Sequence, residues 1–340
     1  MKILITGANG FVGTHLIDRL KNKNHEIYAL VRKDHPRIKG IHWLKGDLLK
    51  PESLPELPAV DKAFYLVHGL KEEKGSFEYA EAMATVNFIH WVRKSSPDLI
   101  YLGGIIPGDD SLSPHLRSRK LCGAILGASG MNLTEFRASI VLGEGSLSFE
   151  MIKALSERFP VIPEIPLLSK NSQPIALDDL LDYLEESLEN NFQGHEIIEI
   201  GGVGKKNYGE LLELYSQLKG LKRRKLKLPQ VDLRILMRAL DYSIPEHSQI
   251  GSKLTESLEH ATIVRSEKAQ EKFPGIKPMT LEEAMKKAIA KSKTHYPPIW
   301  EKDFLKLLIN EKVIQENLPG GIVDKLDRLS QLRDFFRSSK

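Results

Sequence analysis

The sequence predicts an α/β fold, a doubly wound parallel sheet with helices on both faces. Three observations predict it. The chain opens on an apolar run, Lys2-Ile3-Leu4-Ile5-Thr6, the pattern of a strand buried on both sides. That run enters a turn with Gly7, Gly10 and Gly13 at three-residue steps. Phe11, Val12, Leu16, Ile17 and Leu20 then recur at helical spacing. Strand and helix patterns alternate to about residue 142, which implies a parallel sheet of Rossmann type.

The glycine spacing has a physical reading. Gly7 lets the chain turn sharply at the strand end, Gly10 lets a pyrophosphate approach the backbone, and Gly13 lets the helix pack closely on the strand. The free N–H groups at the helix start then face phosphate. With Asn9, Phe11 and Val12, these glycines make the candidate dinucleotide-binding turn.

The remaining elements follow in order. Residues 26–31 form a second strand, and Arg32 and Lys33 leave it where an NAD-preferring site usually places an acid. A guanidinium at Arg32 suits a 2′-phosphate, so NADP(H) is favoured over NAD(H). The alternative is that both bases are solvated loop charges. Residues 41–44 form a third strand, after which Asp47 is placed to accept from an adenine amino group, with Leu48 against the ring. Residues 51–58 read as a short helical turn broken by proline, and 61–67 as a fourth strand. Ligands lie beyond the carboxyl ends of parallel strands, so Leu66, Val67 and His68 should border the cofactor. A loop is expected over 71–75, a long helix over 77–94, a fifth strand over 99–102, a turn over 108–111, a helix from His115 to about Ala128, and a sixth strand over 132–137.

The character changes near residue 145. Helices are expected over 150–158, 178–190 and 207–219, and strands near 173–177, 196–200 and 261–265. Pro160, Pro163 and Pro166 mark a loop expected to overhang the cofactor. Lys219, Lys222, Arg223, Arg224, Lys225 and Lys227 form a basic run, read as a solvated face with an acidic substrate or lipid headgroup as the alternative. The chain looks helical from Val231, and Thr280 to Glu283 is a capped helix start. The expected organisation is a nucleotide-binding core over 1–145, a substrate region over 146–294 partly interleaved with it, and a helical tail over 295–340. Trp300, Phe304, Leu307 and Leu308 share one tail helix face, and Ile322, Leu326, Leu329, Leu332, Phe335 and Phe336 another. Packing on the body is the default for these faces, with a protein partner or a peripheral membrane contact as alternatives.

Bulk properties narrow the classes. A net charge of +4 is too mild and dispersed for nucleic acid to be the main partner. One cysteine, Cys122, excludes a disulfide framework and a cysteine-based metal site, and no metal is expected. No apolar run approaches the ~20 residues of a membrane helix, and the first strand occupies the place of a signal peptide. A soluble, cytoplasmic protein is the expectation.

Several motifs carry a resemblance. Thr6-Gly7-Ala8-Asn9-Gly10-Phe11-Val12-Gly13, Gly46-Asp47-Leu48 and Phe136-Arg137-Ala138-Ser139-Ile140-Val141-Leu142-Gly143 resemble an extended short-chain dehydrogenase/reductase. Tyr101 to Gly104, His115 to Arg119, Gln173 to Ala176 and the segment 258–274 resemble its atypical, NmrA-like branch, which includes relatives of the NAD(P)-binding subunit of respiratory complex I. The resemblance covers about residues 1–292. It implies a serine after the fifth strand and a Tyr-x-x-x-Lys on the next helix in active members. Here Gly103 or Gly104 stands in the serine place, and His115 and Arg119 take the tyrosine and lysine places at the same four-residue step. Arginine can hold ribose hydroxyls but cannot shuttle a proton near neutral pH, whereas histidine can.

Two functions are therefore expected candidates. One is an NADP(H)-dependent oxidoreductase passing hydride to a small quinone or enone acceptor, with Arg119 on the ribose and His115 as the catalytic proton donor. The other is a catalytically inactive NAD(P)-binding sensor or assembly protein that contacts a partner.

Overall fold

The computed structural model describes residues 1–36, 38–68, 77–108, 112–227 and 260–296. The expectations for Gly69, the 71–75 loop, the 109–111 part of the turn, the helical stretch from Val231, Leu258 and nearly all of the tail fall outside those residues.

Seven strands form one all-parallel sheet. They are β1 (Lys2–Thr6), β2 (Glu26–Val31), β3 (Ile41–Lys45), β4 (Lys62–Tyr65), β5 (Asp98–Gly104), β6 (Leu133–Ala138) and, much later, β11 (His195–Ile200). Their spatial order is β3-β2-β1-β4-β5-β6-β11, which places the topological switch point between β1 and β4. Side chains alternate across the sheet with the two-residue strand period. Ile3 and Ile5 face α1 (Phe11–Leu20) and α5 (Leu177–Glu186), while Leu4 faces α2 (Phe77–Val92) and α3 (Pro114–Gly127). Cys122 is buried in the second of these layers and accepts from Thr85 Oγ1 at 3.3 Å, so it packs α3 against α2.

The region after Leu142 has its own core. β7 (Val141–Leu142), α4 (Leu147–Arg158), β8 (Val161–Glu164), β9 (Asn171–Ser172), β10 (Ile175–Ala176), β12 (Lys206–Asn207), α6 (Tyr208–Leu218), β13 (Arg224–Lys227) and α8 (Leu281–Lys291) surround or border it. Asn207 and Thr280 each close a capping box, with Glu210 and Glu283 as the reciprocal partners. This region is interleaved with the sheet at two places. β11 pairs with β6, and α5 lies on α1 through Arg19, which binds Asp182 and Glu185.

Three expectations need correction. Residues 160–166 are not a free loop: β8 runs through them and pairs in parallel with β13, because the three prolines leave enough free N–H groups for a two-stranded ladder. Residues 261–265 are not a strand, since Thr262 alone bridges, to Ser172. The basic run is a largely solvated face, as expected, with Lys219, Lys222, Arg224 and Lys225 exposed and Arg223 half-buried. Arg223 donates to the carbonyls of Ser156 and Glu157, at 2.7 and 3.1 Å, and Lys225 pairs with Glu213. The proline-broken turn is confined to Pro51–Ser53. Among the described residues, no helix is long and apolar enough to cross a membrane.

The short helix α7 (Lys268–Lys272) leads into Phe273, which is fully buried beside Phe136, Tyr183 and Phe192, with ring centroids at 5.6, 5.5 and 6.0 Å. Phe273→Ala should therefore cost about 3–5 kcal/mol of stability, read from urea unfolding. A loss under about 1 kcal/mol would show that this ring does not seal the sheet.

Candidate nucleotide and active site

The turn between β1 and α1 is shaped by backbone-to-backbone contact. Gly7 has φ +69°, and a Cβ there would lie 2.4 Å from the Leu66 carbonyl oxygen. A Cβ on Gly13 would lie 2.3 Å from the Gly7 oxygen. At Gly10 a Cβ would meet only the Gly7 carbonyl, its oxygen at 3.0 Å, so the space beyond that residue is open. Gly10 is also the N-cap of α1. No side chain caps the helix there, and its first turn holds no acid. An uncapped helix start beside open space fits the pyrophosphate of a dinucleotide.

That space belongs to a cavity of about 320 Å³. The glycine turn contributes Gly10, Phe11, Val12 and Gly13, and the end of β4 contributes Leu66, Val67 and His68. β5 and α3 add Gly103, Gly104, His115, Leu116 and Arg119, while Ser139, Ile140, Val141, Leu147, Met151, Lys170, Ser172, Tyr208, His260 and Thr262 close it from the second region. Nine of the predicted site residues thus share one wall. Gly7, Asn9, Arg32, Asp47 and Leu48 are not in it. Gly7 acts from beneath, through the turn. Asp47 Oδ1 accepts from the Leu49 N–H at 3.0 Å, and Leu48 is buried in the core while its carbonyl accepts from Asn87 at 2.6 Å. Arg32 follows the end of β2, where Asp34, the nearest acid in sequence, pairs with Lys45 at 2.9 Å.

One functional group escaped the sequence reading. Glu81 on α2 is 3% exposed and ties the site together. It pairs with the Arg119 guanidinium and accepts from Ser118 Oγ, and His68 Nδ1 lies 3.5 Å from its Oε1. Burial by itself would raise its pKa, but the contact with His68 and the Arg119 charge prevail and hold the carboxyl well below the usual carboxylate range. A signal was present in the sequence, since Glu81, Ala84, Thr85, Phe88 and Val92 occupy one buried helix face. Arg119 itself is 5% exposed. Its Nη1 donates to the Val67 carbonyl at 3.2 Å, and its Nε has no partner among the described residues. His68 and His115 stack with centroids 4.9 Å apart, inclined by 13°. In the serine place, Gly103 and Gly104 offer no hydroxyl, and a Cβ there would press on Tyr101 at 3.1 Å or Leu116 at 3.3 Å.

Glu81→Gln should cost about 3–5 kcal/mol, because Arg119 would be left buried without its counter-charge. The linkage has a definite sign. A carboxyl with a depressed folded pKa stabilises fully above its unfolded value near 4.5, and the contribution is lost as pH falls below that. The stability–pH curve of the variant should be flatter on this acid limb, measured by urea unfolding across the acid range. An unchanged acid limb would contradict the pairing.

Comparison with known proteins agrees with this geometry. Residues 3–114 match the profile of the NAD dependent epimerase/dehydratase family. The chain is 24% identical over 235 residues to the ceramide reductase of Caulobacter vibrioides, covering 67% of this chain and 73% of that protein. It is 32% identical over 96 residues to the 2-alkyl-3-oxoalkanoate reductase of Stenotrophomonas maltophilia, covering 26% of this chain and only 28% of that protein. The fold is shared with a nucleoside-diphosphate-sugar epimerase of Staphylococcus aureus at TM-score 0.66 and 16% identity, over 84% of this chain and 100% of that one. Residues 3–114 are thus similar to the NAD dependent epimerase/dehydratase family in sequence, and the glycine turn and seven-stranded parallel sheet give the chain the fold of the solved epimerase.

Proposed function

We propose that the protein is an NADP(H)-dependent reductase of the atypical, NmrA-like kind, acting on a small apolar acceptor of the quinone or enone class. One observation carries this reading: the glycine turn and two stacked histidines open on the same cavity, most of whose exposed lining surface is apolar. Two relatives are named as reductases, which supports reduction as the direction of the chemistry.

NADP(H) is favoured over NAD(H) by the charges at the end of β2. Arg32 directly follows β2, the strand end from which dinucleotide-binding folds address the adenine ribose. Backbone N–H groups at the start of α1 hold the pyrophosphate, and Arg119 Nε is the donor left for the ribose. When bound, the reduced nicotinamide supplies hydride. The chain supplies the proton. Glu81 sits at Nδ1 of His68, which fixes the tautomer of that ring and leaves Nε2 on its far side. His115, stacked on it, shares the same wall and is the donor at the tyrosine place. The apolar walls exclude water from the transfer.

A second reading is favoured by the engagement of Arg119 with Glu81 and the missing hydroxyl at Gly103 and Gly104. On that reading the nucleotide is a sensed or structural ligand.

NADPH consumption with menadione and benzylideneacetone distinguishes the two. The first reading expects turnover, and His115→Ala should lower kcat by about 10²-fold or more. No turnover with either acceptor, despite NADPH binding, would favour the second. Arg32→Ala should weaken NADPH about tenfold, the loss of one charge-assisted contact, and leave NADH unchanged in calorimetric titration. Equal losses for both nucleotides would remove the 2′-phosphate assignment.

A further inference from the structure

The second region contributes several hydroxyl groups to the cavity lining, and four of them are already engaged by the protein. Ser139 Oγ and Thr262 Oγ1 pair at 2.6 Å. Ser146 Oγ donates to the Val141 carbonyl at 2.6 Å, and Ser172 Oγ to the Lys206 carbonyl at 2.9 Å. Tyr208 differs. It lines the cavity and is 4% exposed, yet its Oη is buried with no partner among the described residues.

The fold fixes this side chain firmly. Tyr208 is the first residue of α6, directly after the Asn207 cap, and its ring packs in the apolar core of the second region. A phenylalanine would fill that core equally well without a stranded polar atom. Burial raises the phenol pKa far above its ordinary value, so the group stays a neutral O–H donor. A neutral donor in an apolar wall suits a neutral carbonyl oxygen.

We propose that Tyr208 is a specificity-determining residue whose Oη donates a hydrogen bond to a second carbonyl oxygen of the acceptor, away from the carbon that takes hydride. This rests on the reductase reading and sharpens it: para-quinones, with two opposed carbonyl oxygens, are preferred over enones, which have one.

The test uses full-length protein and its Tyr208→Phe variant, with menadione as the quinone and benzylideneacetone as the enone. Expected is a rise of about tenfold in the KM for menadione, the loss of one hydrogen bond. The KM for benzylideneacetone and the affinity for NADPH should stay within twofold, and the melting temperature should hold or rise, since a stranded hydroxyl is removed. An unchanged KM for menadione would overturn the role of Tyr208 while leaving the reductase reading intact. A fall in melting temperature with equal losses for both acceptors would overturn it too, by showing that the hydroxyl is structural. Wild-type protein that binds NADPH but reduces neither acceptor would remove the reductase reading and this inference with it.

Discussion

The approach of Gly13 to the Gly7 carbonyl is the constraint on which the architecture depends. Helix α1 lies so close to the exit of β1 that a single methyl group would sit 2.3 Å from a backbone oxygen, where about 3.4 Å is ordinary contact. Backbone cannot yield as a flexible side chain can, so the whole helix would have to move. Much else takes its position from α1. Its start opens on the cavity, its flank carries Arg19 to the acids of α5, and α5 belongs to the second region. The place of that region over the sheet is therefore set partly by the same glycine contact that shapes the nucleotide turn.

A second constraint is the burial of charge at Glu81. An isolated carboxylate at that depth would cost several kcal/mol. Arg119, Ser118 and His68 compensate it from three directions. Arginine suits the position better than lysine because its planar fork reaches Glu81 and the Val67 carbonyl at once. Tyr101 Oη donates to the Arg119 carbonyl at 3.0 Å, so the backbone of α3 is fixed at the same residue. The helix that carries the expected acid–base pair is thus locked to α2 through polar contacts inside the core. The cost is chemical freedom, since most of the guanidinium is committed within the protein.

What was legible in the sequence was what is local. The periods of β1 and α1, the glycine steps and the strand–helix alternation each involve a few neighbouring residues, and they pointed to seven of the cavity-lining residues; His115 and Arg119 came from the resemblance. Interactions between distant segments were not legible. β8 pairs with β13 more than fifty residues later, and three prolines read locally as a loop. Thr262 reads as part of a strand but makes a single bridge to Ser172. Glu81 shares a helix face with apolar residues, but nothing local in the sequence tells that the packing of α3 on α2 brings Arg119 to it. Tyr208 lies in the helix expected over 207–219, and only the absence of a partner for its hydroxyl among the described residues sets it apart from a core aromatic.

These facts divide the molecule into two kinds of specificity. On the proposed reading, the nucleotide half holds its ligand largely through main-chain geometry, which tolerates wide sequence change as long as the glycines remain. The backbone contacts of the glycine turn are compatible with a fold shared at 16% identity and a TM-score of 0.66. On the same reading, the second region, which would face the acceptor, has no such backbone device. Its cavity wall is mostly apolar, several of its hydroxyls are already satisfied, and selectivity falls to a few polar atoms. In a poorly solvated wall each such atom counts for more than it would in water, because an unmatched donor there has no solvent to turn to. On the proposed reading, glycine, histidine and arginine in the serine, tyrosine and lysine places change which atoms can address an acceptor, while the fold that presents them is kept.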